Sequence, residues 1–107
     1  MKAEMITVYV SIGNSDDKLT QREWSWFVRD VGETLRKNAK TIHGEWHSAS
    51  AGSFQNACWC AEFRDRHRAD EVKARMQGWA GHYRQDSIAW AEAPHTEFIV
   101  GHIRVDL

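Results

Sequence analysis

Apolar residues at every second position constrain this chain before anything else. In MITVYVSI, residues 5 to 12, Ile6, Val8, Val10 and Ile12 alternate with Met5, Thr7, Tyr9 and Ser11. Successive side chains of a strand point to opposite faces, so the pattern describes a strand with one buried face. That face requires a second layer packed over it.

The next stretches say what the layer is. GNSDDKL breaks the alternation, and Thr20-Gln21-Arg22-Glu23 fits a capping box, with Leu19 and Trp24 placed for a hydrophobic staple. Trp24, Phe27, Val28, Val31 and Leu35 then form one helical stripe, which ends at Arg36, Lys37 and Asn38. Trp26 lies off the stripe beside Arg22, Arg29, Asp30 and Glu33, which makes it an exposed protein-contact candidate. TIHGEWH, residues 41 to 47, alternates again, and the small-residue turn SASAGS leads into a third strand, QNACWCAEF. A second helix is predicted from about residue 66, with Val72, Met76, Trp79 and Tyr83 on its apolar side; Gly78 and Gly81 weaken its last turns. DSIAWAEA reads as a fourth strand, ended by Pro94. The tail, residues 98 to 107, alternates and predicts a fifth strand, in its own sheet or against a partner chain.

The order β-α-β-β-α-β is the ferredoxin-like pattern of the α+β class. It predicts one domain over residues 1 to 107, with a four-stranded antiparallel sheet and both helices on one face. The other face is left open.

Composition narrows the partners. Lys+Arg 14 against Asp+Glu 15 leaves a net charge of −1, which argues against nucleic acid, because phosphate contacts demand a basic excess. No apolar run approaches the roughly 18 residues of a membrane span, and the N-terminus lacks a signal-peptide pattern. The two cysteines, Cys58 and Cys60, do not make a secreted disulfide framework. A cytoplasmic protein with reduced thiols is expected. Six tryptophans in 107 residues are the compositional outlier.

Parity decides where the cysteines point. Pairing Ile42 with Trp59 aligns Ile42, Gly44 and Trp46 with Ala57, Trp59, Ala61 and Phe63 under the helices. Cys58 and Cys60 then face outward with Asn56 and Glu62, opposite His43, Glu45 and His47. The predicted open face therefore gathers Tyr9, His43, His47, Asn56 and Cys58 as ligand-binding residues. Cys58 across from His43 raises a zinc site, since zinc takes thiolate and imidazole. Two thiols on one strand face lie about 6.5 Å apart at Cα, whereas structural zinc sites favour C-x2-C loops. No metal and no cofactor are expected.

Asn14, Asp16 and Asp17, in the loop after the first strand, form a second candidate set. Either the loop is polar with Asx-turn chemistry, or its aspartates hold a divalent ion. No Ser/His/Asp set or H-E-x-x-H can be read from the six histidines, so no catalytic residue is assigned. Asp65, Asp70 and Glu71 are expected to cap and charge the second helix.

VYVSIGNSDDKLTQREW, QNACWCAEF and QDSIAWAEAPHTEF resemble stretches of small hypothetical proteins from actinobacteria and their phages. The resemblance spans residues 6 to 98 and implies a bacterial or phage accessory protein. It carries no activity and transfers no catalytic residue. Two functions fit: a binding module using the open face, as a small-ligand sequestering or inhibitor protein that self-associates, or a small enzyme. The enzyme would resemble the dimeric α+β-barrel kind, with Trp24, Trp46, Trp59 and Trp90 walling a pocket between helices and sheet.

Overall fold

The computed structural model describes residues 5–14, 16–49, 54–95 and 97–101. Its elements run β1 (Ile6–Gly13), α1 (Gln21–Asn38), β2 (Thr41–His47), β3 (Asn56–Phe63), α2 (Arg66–His82) and β4 (Ala89–Glu92). The four strands form one antiparallel sheet in the order β2-β3-β1-β4, and the fold is the α+β ferredoxin-like one.

The core lies between the helices and one sheet face. Val8, Val10 and Ile12 of β1 meet Ala57, Trp59, Ala61 and Phe63 of β3, and all are buried. Phe27, Val31 and Leu35 of α1, with Ala69, Val72 and Met76 of α2, close it from above. Helix α1 begins with the expected capping box: Thr20 Oγ1 accepts from the Glu23 amide and Glu23 accepts from the Thr20 amide. Leu19 is buried at the predicted staple position, and Trp24 meets Phe27 edge-to-face. Asp65 caps α2 by accepting the Arg68 amide at 2.8 Å. The helix continues through Gly78 and Gly81 to His82 because Val72, Met76 and Ala80 pack its apolar side onto the core. Arg66, at its start, holds Glu92 of β4 with two hydrogen bonds of 2.7 Å.

Strand β2 corrects the predicted register. Ile42 pairs with Ala61, not Trp59, and the ladder then shifts at a bulge between Ile42 and Gly44. Beyond it, Glu45 stands opposite Trp59 and Trp46 opposite Cys58. One extra residue inverts every later side chain, so Trp46 leaves the predicted core face and Glu45 joins it. The shift satisfies a polar atom on a buried ring. The Trp59 indole N–H donates to the Glu45 carboxylate, which also pairs with Arg36 of α1 at 3.2 Å and His47 at 3.1 Å. A buried donor left without an acceptor costs about 1–3 kcal/mol. The bulge delivers that acceptor.

The predicted fifth strand is not present in its described part. Phe98, Ile99 and Val100 are almost fully exposed and belong to no strand. Residues 102 to 107 lie outside the described residues. No helix among those described is long and apolar enough to cross a membrane.

Candidate functional site

The uncovered sheet face is built from two cross-strand rows. One runs Trp46–Cys58–Ser11–Ala89 and the other Gly44–Cys60–Tyr9–Ala91, across β2, β3, β1 and β4. Cross-strand neighbours on one face are the contact unit of a sheet, so each row is a continuous strip of surface. Trp46 is 53% exposed and Tyr9 43%, while Cys60, between Tyr9 and Gly44, is only 5% exposed. A Cβ built on Gly44 would lie 2.6 Å from the Trp46 ring, so the bare glycine is what lets the indole lie across β2. The centre of the face carries hydroxyls, thiols, methyls and two aromatic rings, without a charged group. Its charge is at one end, where His43 Nε2 approaches Glu62 at 3.4 Å.

Electrostatics on this face are mild. Cys60 holds the Tyr9 phenol above its ordinary value, first through hydrogen bonding and then through its charge; burial and Cys58 act in the same direction. Both thiols are free. Among the described residues no group of three or more His, Cys, Asp or Glu side chains is close enough to share a metal ion.

The predicted ligand residues divide accordingly. Tyr9 and Cys58 sit near the centre of the face, Asn56 continues the alternation at the far end of β3, and His43 borders Glu62. His47 is a correction: the bulge turns it to the other side, where it stands edge-on to Trp59 with ring centroids 6.2 Å apart. Cys58 therefore faces Trp46 rather than His43. Trp46 is the site residue that sequence reasoning missed. Its alternation with Ile42 and Gly44 pointed inward, and the only local hint of a bulge was Gly44 within a strand.

The loop set also separates. Asn14 is 2% exposed and faces the protein: its amide donates to Leu19 O (3.1 Å) and Gln55 Oε1 (3.2 Å), and its oxygen accepts the Leu19 amide (3.0 Å). Its side chain organises the loop from within the protein rather than from its solvent side. Asp16 and Asp17 are exposed; Asp16 accepts the Lys18 amide and pairs with the Lys18 ammonium at 3.5 Å. Trp26 is 42% exposed, as its position off the α1 stripe predicts.

The four tryptophans expected to wall an internal pocket do not surround one space. Trp59 is buried, Trp90 stacks on Phe63 at 5.9 Å, and Trp46 lies on the opposite face of the sheet. A cavity of about 290 Å³ opens at the margin between α2 and β4, beside Met76, Ala80, Ile88 and Trp90.

No family model and no curated protein matches this chain. Solved structures do match in shape. The de novo designed protein Foldit4 superposes with a TM-score of 0.63 at 6% identity, covering 87% of this chain and 100% of that one. A hypothetical protein of Arabidopsis thaliana, solved in solution, gives 0.60 at 11% identity over 94% of this chain and 96% of that one. A hydroxynitrile lyase from Passiflora edulis gives 0.50 at 14% identity over 89% and 97%. At these identities the likeness is one of fold, and fold alone does not carry activity.

Proposed function

We propose that this protein is a binding module that works as a homodimer, with the uncovered sheet face as its interface. The observation that carries the reading is Trp46, which the β2 bulge takes out of the predicted core and leaves 53% exposed on a face whose centre carries no charged group. Large exposed aromatics on a neutral surface are the usual anchors of an interface. The occupant that fits is a second copy. A two-fold axis parallel to the strands, between β3 and β1, lays β2 of one copy over β4 of the other. Trp46 then meets the small Ala89 and Ala91 of its partner, and the reciprocal contact forms by symmetry. The sheet supplies roughly 500 Å² by its strand spacing and rise. A standard interface buries about 800 Å² per partner, and the exposed Phe98, Ile99 and Val100 offer apolar surface toward the difference. The free thiols suit a reducing compartment, which is consistent with the cytoplasm of a bacterium or a phage host.

The test is solution mass across micromolar concentrations. Twice the 12.4 kDa chain is expected, with Trp46→Ala shifting the protein to monomer while its thermal transition is kept. A wild-type protein of single-chain mass at every concentration would sink the reading.

A further inference from the structure

Arg75, Gly78, Trp79 and His82 of α2 are separated by three, four and seven residues from the first, so all four share one helix face. With Thr34 of α1 they line an open cleft of about 440 Å³ between the helices, within the range of roughly 300–1,000 Å³ usual for small-molecule sites. The cleft is made by helix residues alone and shares none with the sheet face. Its aromatic platform is fixed. The Trp79 indole N–H donates to Thr34 Oγ1 at 2.9 Å, and the Thr34 hydroxyl donates to the Asp30 carbonyl at 2.8 Å. The polar edge of the indole is thus engaged with α1. The His82 ring stands edge-on to it, centroids 5.8 Å apart.

Two further features give the cleft a chemistry. A Cβ at Gly78 would meet nothing within 4 Å, so packing does not require glycine there. Glycine inside a helix is destabilising relative to alanine, and Gly78 lines the cleft beside Trp79 with no side chain of its own. The lining also carries a guanidinium and an imidazole but no carboxylate. Among the described residues, Arg29, Arg36, Arg66, Arg68 and Arg84 each pair with a carboxylate; Arg75, like Arg22 and Arg64, belongs to none of these pairs, and it is the one that lines the cleft.

We infer that this cleft binds a small planar aromatic carboxylate. The ring stacks beside Trp79 over Gly78, the carboxylate is held by the Arg75 guanidinium, and His82, two turns further along α2, bounds the other end of the cleft. A charge-assisted hydrogen bond and an aromatic face together select for both parts of such a ligand.

The experiment titrates the full chain with 2-naphthoate and follows the Trp79 indole N–H by heteronuclear NMR. Naphthalene-2-carboxamide serves as the ring without charge, and cyclohexanecarboxylate as the charge without ring. Saturable movement of the Trp79 signal by naphthoate is expected, with the amide weaker by about tenfold or more, as the loss of one charged hydrogen bond implies, and the cyclohexane acid weaker by roughly two- to tenfold, as the loss of aromatic stacking implies. Arg75→Gln should remove the preference for naphthoate over its amide, with an unchanged melting temperature. Gly78→Leu should abolish binding while leaving the protein folded. No saturable shift at millimolar naphthoate, equal affinity for acid and amide, or shifts that map to Trp46 and Tyr9 would each overturn the assignment.

Discussion

Asn14 and Glu92 show what single polar side chains do for this fold. Asn14 bonds both backbone groups of Leu19 and reaches Gln55, whose amide in turn exchanges hydrogen bonds with Gln21 at 2.7 and 3.0 Å. Asn14→Ala would strand these buried partners, and a loss of about 1–3 kcal/mol is expected by urea unfolding. A ligand residue on a solvent loop would cost far less, so the number separates the two roles. Glu92 is held down to about 2 from its ordinary 4.5, first by hydrogen bonding to Arg66 and then by the Trp90 indole. A depressed carboxylate stabilises the folded state above its unfolded value, and that stability is lost as pH falls toward the folded one. Wild-type stability should therefore decline between about 4.5 and about 2. Glu92→Gln should decline less across that window, read as the urea midpoint against pH. Parallel curves for the two proteins would remove Glu92 from the account.

Strand β2 is the element in which side-chain chemistry overrides local pattern. Its alternation alone places Trp46 inward and Glu45 outward; the bulge reverses both because Trp59 needs an acceptor and Arg36 a partner. Glu45 itself sits below its ordinary value despite burial, which alone would raise it; His47 and Trp59 hydrogen bonds outweigh that effect. Glu45→Ala leaves the Trp59 N–H without its acceptor, so a loss of about 1–3 kcal/mol is expected by urea unfolding. Glu45→Gln keeps an acceptor oxygen and should recover much of it. If alanine is neutral, the bulge has another cause. The other elements obey their local signals. Helix α1 has its cap, staple and stripe within 17 residues of sequence, and β1 and β3 keep strict alternation because both run through the middle of the sheet.

At the scale of the whole fold, helices cover one sheet face, and among the described residues nothing covers the other. The proposed dimer would cover it, and the exposed Phe98, Ile99 and Val100 would extend the contact. Truncation after residue 96 should therefore weaken self-association, measured by sedimentation at falling concentration, without lowering the urea midpoint of the monomer. An unchanged dimerisation constant would confine the interface to the sheet.

Periodicity and capping, read from the sequence alone, determined the order of the six elements, the inward faces of β1, β3 and both helices, and both helix starts. Each depends on residues a few positions apart, where geometry is repetitive and side chains meet their own neighbours. The sequence also placed Tyr9 and Cys58 together, since alternation on two strands carries that information; Ala89 and Ala91 joined them through the pairing of β4 with β1. Only the tertiary structure decided that His47 and Trp46 exchange faces, that Asn14 turns inward, and that Arg75 and Trp79 meet Thr34 across a cleft. These outcomes depend on partners at distant positions: the indole N–H of Trp59 for the bulge, Gln55 for Asn14, and α1 for the cleft. A one-residue bulge leaves almost no trace in local composition yet inverts every side chain beyond it, because strand parity has a period of two.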